Sequence, residues 1–133
     1  MNRLAAVLMS SLALAGCAAS AATQSVEPGA DVTLARGETV AVKGAGTTVQ
    51  FVDVIEDSRC PQNAACFWAG QVRVRLEIRG RQKTTVELLA GDGSSAGGLH
   101  VTLLAVAPSP VRDQKIAPQE YRATLKIELA PKS

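Results

Sequence analysis

Two segments of the chain alternate strictly between apolar and polar residues, which is the period of a half-buried β-strand. In residues 71–79 the apolar positions are Val72, Val74, Leu76 and Ile78, and charged side chains lie between them. Residues 121–129 repeat the pattern, with an apolar side chain or alanine at every second position. The alternation predicts two strands that each bury one face in a common core.

Five further segments carry weaker strand patterns, at residues 32–35, 39–42, 48–55, 84–89 and 100–106. Residues 79–82, Arg-Gly-Arg-Gln, are typical of a hairpin turn in which the glycine supplies a positive φ. No segment after the first 16 residues has the period of an amphipathic helix. About seven short strands separated by Gly and Pro predict an all-β fold, an antiparallel β-sandwich, with a small closed β-barrel as the alternative.

The last predicted strand begins with Pro118-Gln119-Glu120-Tyr121. This start is similar to a late strand of immunoglobulin-like domains, in which a tyrosine hydroxyl bonds back to the preceding corner. The resemblance implies an immunoglobulin-like version of the sandwich. The alternative is a tyrosine that only covers the end of a sheet.

The chain begins with one positive charge at Arg3, an apolar run over residues 4–15, and the sequence Leu14-Ala15-Gly16-Cys17. The run is too short and too interrupted by serine for a membrane span, which needs about 20 apolar residues. Leu-Ala-Gly-Cys resembles the processing box of bacterial lipoproteins. The resemblance implies cleavage before Cys17 and acylation of its sulfur and new amino group, and two acyl chains give stable anchoring. An ordinary secreted protein is the alternative.

The predicted organisation is a signal peptide over residues 1–16, a lipidated Cys17 with a flexible tether over 17–30, and one β domain over 31–133. The tether prediction rests on an Ala- and Ser-rich composition without a hydrophobic period. The lipoprotein resemblance places the domain in the cell envelope, facing the periplasm or the exterior. Ala18, where inner-membrane lipoproteins tend to have Asp, implies the outer membrane if the cell is Gram-negative.

Charge and aromatic content exclude a typical nucleic-acid binder. Without Arg3 the chain has 13 basic and 12 acidic side chains, close to neutrality. Binding a polyanion needs a concentrated basic face, and single-strand binding adds aromatic platforms. The chain has only four aromatic residues, Phe51, Phe67, Trp68 and Tyr121. We therefore expect no nucleic-acid partner.

Two cysteines remain after Cys17, namely Cys60 and Cys66. An even number in an oxidising compartment predicts a disulfide. In the loop-entropy model a seven-residue ring contributes roughly 2 kcal/mol. A metal site of Cys60, Cys66 and His100 is the alternative, but the cysteine spacing is wider than the usual zinc knuckle and the chain has one histidine. We expect no metal, no cofactor and no redox Cys-x-x-Cys site.

The most distinctive stretch is Asp57-Ser58-Arg59-Cys60-Pro61 followed by Cys66-Phe67-Trp68-Ala69-Gly70. It resembles a group of short, uncharacterised bacterial secreted and lipoprotein domains, and the resemblance implies a fold neighbourhood and a disulfide. The residues themselves indicate a cross-linked loop between two strands, with Arg59 paired to Asp57 or stacked on Trp68. The functional alternative makes Arg59 and Trp68 a partner-binding pair, since both types are common at interface centres.

No catalytic group is recognisable. Residues 91–98 are Gly-rich but lack the lysine of a phosphate loop, and a flexible connection explains them. His100 could serve Ser94 or Ser95 with an aspartate, but the strained Gly-x-Ser-x-Gly turn is absent. The sequence therefore predicts a lipid-anchored binding or envelope-accessory module with a possible protein partner. The alternatives are a small-ligand or metal carrier using the Cys60/Cys66 loop and, third, an enzyme of unfamiliar type.

Overall fold

The computed structural model describes Gly16 and residues 23–131. Within that part the chain forms nine strands and a short 3-10 helix over Pro118–Glu120. The strands are β1 Gln24–Val26, β2 Asp31–Ala35, β3 Thr39–Val42, β4 Thr47–Asp57, β5 Val72–Arg79, β6 Lys83–Leu89, β7 Gly93–Ala96, β8 Leu99–Ala107 and β9 Arg122–Leu129. All seven predicted strands are present.

The strands form two sheets, one ordered β1-β3-β4-β5-β6 and the other β2-β9-β8-β7. The sheets are not closed into a barrel, so the predicted β-sandwich is confirmed. Paired strands run antiparallel except β1 and β3, which are parallel. The predicted antiparallel sandwich therefore has one parallel pair at its edge, which the sequence did not indicate.

The core lies between the sheets and is built from alternating strand positions. In β5 the residues Val72, Val74, Leu76 and Ile78 are buried, as the sequence pattern predicts. The opposite sheet contributes Leu99, Val101 and Leu103 from β8 and Ala123, Leu125 and Ile127 from β9. Burying a side chain such as Leu or Ile is worth roughly 1.5 to 3 kcal/mol, so these rows fix the register of both sheets.

Two strands went unpredicted because their residues carry no alternating pattern. Strand β1 lies inside residues 17–30, predicted as a tether, and pairs with β3 from Gln24–Val40 to Val26–Val42. Only Val26 of its three residues packs against the core, and the pairing itself is made by backbone hydrogen bonds, which leave no pattern in side-chain hydrophobicity. Strand β7 lies inside the Gly-rich segment predicted to be a flexible connection, and its residues are Gly, Ser, Ser and Ala. The ordered domain thus begins before residue 31.

Cys17, the predicted lipidation residue, and residues 1–15 of the predicted signal peptide lie outside the described residues. Among the residues that are described, no helix is long and apolar enough to cross a membrane.

The hairpin turn after β5 is confirmed, but glycine is required in it for a different reason from the one predicted. Gly80 does not adopt a positive φ. A Cβ there would lie 3.2 Å from Oγ1 of Thr47, which is buried and donates to the Gly97 carbonyl at 2.9 Å. The glycine therefore allows close approach of the two sheets at this end.

The sandwich has two distinct ends. At one end lie residues 58–71, which join β4 to β5, and residues 108–121, which join β8 to β9. We call residues 58–71 the cysteine loop and this end the cysteine-loop end. At the opposite end lie Thr47, the β5–β6 turn and the β7–β8 turn.

Candidate functional site: the cysteine loop

The two legs of the cysteine loop continue the pairing of β4 and β5. Ser58 N donates to the Gln71 carbonyl at 2.8 Å, and Cys60 N donates to the Ala69 carbonyl at 3.2 Å. Gln71 N donates back to Ser58 Oγ at 3.1 Å. The loop therefore leaves the sheet as a hydrogen-bonded ribbon.

The predicted disulfide between Cys60 and Cys66 is confirmed, with the two Cα atoms 6.0 Å apart. Since a disulfide restricts the unfolded chain more than the folded one, this short ring stabilises the loop conformation. Both sulfurs are also removed from metal binding, because the metal ligand is a free thiolate.

Arg59 is the hub of a polar network beneath the loop. Its Nε and Nη2 donate to the two carboxylate oxygens of Asp57 at 2.8 Å each. Its Nη1 donates to the Val106 carbonyl at 2.7 Å, and Nη2 also donates to the Pro108 carbonyl at 3.0 Å. The side chains of Arg59 and Asp57 are only 18% and 12% exposed. Arg59 therefore links the loop to the other sheet, and its guanidinium group is engaged in these hydrogen bonds.

Tyr121 completes the network by donating its hydroxyl hydrogen to Asp57 Oδ2 at 2.9 Å. The partner lies 64 residues away in the chain rather than in the preceding corner. The corner bond implied by the immunoglobulin resemblance is therefore wrong, and Tyr121 does more than cover a sheet end. It joins the start of β9 to the end of β4.

The charges of the network follow from burial and these hydrogen bonds. Burial raises the pKa of Asp57, but hydrogen bonds from Arg59 and Tyr121 outweigh it and leave the pKa below the ordinary aspartate value. The hydrogen bond to Asp57 raises the pKa of Arg59. Burial and the neighbouring Asp57 raise the pKa of Tyr121 to about 12. The network holds one carboxylate, one guanidinium and one neutral phenol at neutral pH.

The middle of the loop packs against the β8–β9 connection. Gln62 N donates to the Pro110 carbonyl at 3.0 Å, and Arg112 N donates to Asn63 Oδ1 at 2.7 Å. Four sets of contacts thus hold the cysteine loop: the hydrogen bonds between its legs, its disulfide, the Arg59 network beneath it and the hydrogen bonds to the β8–β9 connection.

The loop nevertheless presents large apolar side chains to solvent. Phe67 is fully exposed and Trp68 is 69% exposed. We call these two residues the aromatic apex. They lie within the run Ala64-Ala-Cys-Phe-Trp-Ala69, which has no charged side chain, and residues 65–70 are all exposed. A contiguous exposed apolar group on a fixed loop is the kind of surface that marks an interaction site.

The predicted partner-binding pair is therefore divided by the structure. Trp68 lies on the surface, whereas Arg59 is largely buried in its network. Phe67 takes the place beside Trp68, and the sequence analysis missed it. The available signal was the adjacent Phe and Trp in a segment without strand alternation.

The residues considered in the sequence for catalysis or metal binding do not form a complete site. Ser95 and His100 are opposite residues of β7 and β8, and Ser95 Oγ lies 2.9 Å from His100 Nδ1. Among the described residues no carboxylate accepts a hydrogen bond from His100, so the base of a triad lacks its orienting group. Within the same residues no cluster of three or more His, Cys, Asp or Glu could hold a metal ion.

Fold and site together define a small two-sheet β domain with a disulfide-bonded loop and an exposed aromatic apex. Comparison with protein-family models, with curated proteins and with solved structures gives no match.

Proposed function

We propose that this protein is a lipid-anchored binding module of the cell envelope, and that the aromatic apex is its contact surface. The observation that carries the proposal is the exposure of Phe67 and Trp68 on a loop whose one charged side chain, Arg59, is bonded inward. The protein acts by contact and catalyses no reaction.

The rigidity of the loop supports binding over an incidental exposure. Association is costly when side chains and loops must be ordered on contact, and a preordered loop avoids much of that cost. The disulfide and the four hydrogen bonds of the Arg59 side chain order this loop before any contact is made. Tryptophan is also a frequent centre of binding energy.

The anchoring part of the proposal rests on the Leu14-Ala-Gly-Cys17 sequence. An acylated Cys17 would keep the domain at the envelope, at the outer membrane if the cell is Gram-negative. Anchoring raises the effective concentration of the domain for components of the same surface, so a small apex suffices for a useful contact.

The alternatives have less support. A metal carrier through Cys60 and Cys66 needs thiolates, and both sulfurs lie in the disulfide. A small-ligand carrier needs a cavity at the loop, whereas a depression of about 670 Å³ lies at the opposite end among Gly46, Thr47, Gly80 and Gly97.

Photocrosslinking in intact cells tests the proposal. The photoreactive residue p-benzoylphenylalanine replaces Phe67 in one variant and Leu129 in the control, since Leu129 is 54% exposed at the far end of β9. We expect discrete adducts from position 67, reduced at least fivefold by Trp68→Ala, and none of the same mass from position 129. Equal adduct patterns from both positions, at equal protein levels, would contradict the proposal.

A further inference from the structure

The pairing of β1 shows which end of the domain its first residue faces. Gln24 pairs with Val40 and Val26 pairs with Val42, while β3 pairs with β4 so that Val42 lies opposite Thr47. Strand β1 therefore runs away from the cysteine-loop end and towards the opposite end. The first residue of β1, Gln24, is therefore at the end of the strand that faces the cysteine loop.

The chain between the anchor residue and β1 is short. Seven residue steps separate Cys17 from Gln24, and at about 3.3 to 3.6 Å per step they reach at most about 25 Å. Gln24 is level with Val49 of β4, through the pairs Gln24–Val40 and Val40–Val49. Strand β4 has two bulges between Val49 and Asp57, and its partner β5 covers the same length in six steps, from Ile78 to Val72, about 20 Å at about 3.3 Å per step. The longest reach from Gln24 to an anchor at Cys17 is thus similar to the distance from Gln24 to the cysteine-loop end, so an anchored domain lies close enough to the bilayer for the loop to contact it.

The chemistry of the apex fits a lipid surface. Aromatic rings with one polar atom, as in Trp68, favour the boundary between headgroups and acyl chains. The exposed run from Ala65 to Ala69 has no charge to desolvate, and Arg59, the one charged residue of the cysteine loop, is bonded inward.

We infer that Phe67 and Trp68 insert into the headgroup region of the membrane that holds the acylated Cys17, so that the domain is seated on the bilayer at two points. This inference rests on the proposed anchor and contact surface, and it names the bilayer as the partner. The second point fixes the orientation of the domain, with the opposite end directed away from the membrane.

The test uses the fluorescence of Trp68, the only tryptophan of the chain. The mature acylated protein, which begins at Cys17, is reconstituted in phosphatidylethanolamine and phosphatidylglycerol vesicles, with or without brominated acyl chains. We expect brominated lipid to quench Trp68 emission by at least half, and acrylamide to quench it severalfold less than free indole. The control carries Trp68→Phe with Leu129→Trp, and its emission should respond to acrylamide and not to brominated lipid.

Each outcome is decisive when vesicle flotation and the crosslinking experiment are read together. The bilayer contact is contradicted if the protein floats with the vesicles while acrylamide quenches Trp68 emission strongly and brominated lipid does not. If position 67 then crosslinks a protein in cells, the proposed function stands with a protein partner. If it crosslinks nothing, both proposals fail. Protein that does not float refutes the anchor, and with it the seating.

Discussion

Gly70→Ala should lower the free energy of unfolding by about 4 kcal/mol, or leave the protein unfolded, because two separate costs meet at this residue. Gly70 has a φ of +68°, which disfavours any residue with a Cβ. A Cβ there would also lie 1.8 Å from the Ser58 carbonyl oxygen, a backbone atom of the facing leg that cannot move without breaking the ribbon. Urea unfolding followed by circular dichroism measures the change.

Gly44→Ala is the matched control for this prediction. Gly44 also has a positive φ, +77°, but a Cβ there meets nothing within 4 Å. It should cost about 1 kcal/mol, the conformational cost alone. Equal losses in the two variants would show that the close approach at Ser58 is not a feature of the folded protein.

Arg59→Ala should cost about 3 kcal/mol, the second largest effect. The variant leaves Asp57 without its two charged hydrogen bonds and leaves the carbonyls of Val106 and Pro108 without this donor. The control is Arg75→Ala, whose ion pair with Glu87 is about 40% exposed on both sides and should contribute less than about 0.5 kcal/mol. Thermal unfolding of both variants tests this, and a loss at Arg59 no larger than at Arg75 would contradict the network.

The stabilisation that Arg59 provides should depend on pH in a defined window. Because the pKa of Asp57 is lowered by folding, its contribution is complete above the unfolded value, near 3.8, and is lost as the pH falls through the folded value. Tyr121 behaves in the opposite sense. Its pKa rises from 10.0 to about 12, so its contribution is complete below pH 10 and is lost as the pH rises towards 12. The gap in melting temperature between the native protein and Arg59→Ala should therefore be flat between these limits and shrink on the acid side.

Side-chain alternation was sufficient to predict the strands that bury one face. It could not reveal β1 and β7, because their pairing depends on the backbone and on glycine and serine at a sheet edge. The same limit applies to topology, since the parallel pairing of β1 with β3 has no counterpart in the residue pattern.

The candidate site was predictable where its parts are close in sequence. The disulfide between near neighbours was expected, and the pairing of Arg59 with Asp57 was one of two alternatives, the other being a stack on Trp68. The hydrogen bond from Tyr121 and the Val106 carbonyl come from distant segments that only the packing of the two sheets brings together. Those long-range contacts bury Arg59, and they could not be inferred from the sequence. The sequence analysis therefore proposed Arg59 rather than Phe67 as the residue that shares the contact surface with Trp68.

The central claim, that the aromatic apex is covered in the envelope, is tested most directly by hydroxyl-radical footprinting of native membranes. The quantity is the oxidation rate of the Phe67–Trp68 peptide divided by that of the Leu129 peptide, compared with the same ratio in urea. In the folded protein Phe67 is as exposed as in an extended chain, whereas almost half of Leu129 is covered. If nothing covers the apex in the membrane, the ratio should therefore be equal to the ratio in urea or higher. We predict a ratio at least threefold lower in the membrane than in urea. A ratio equal to or above the urea value would contradict the claim.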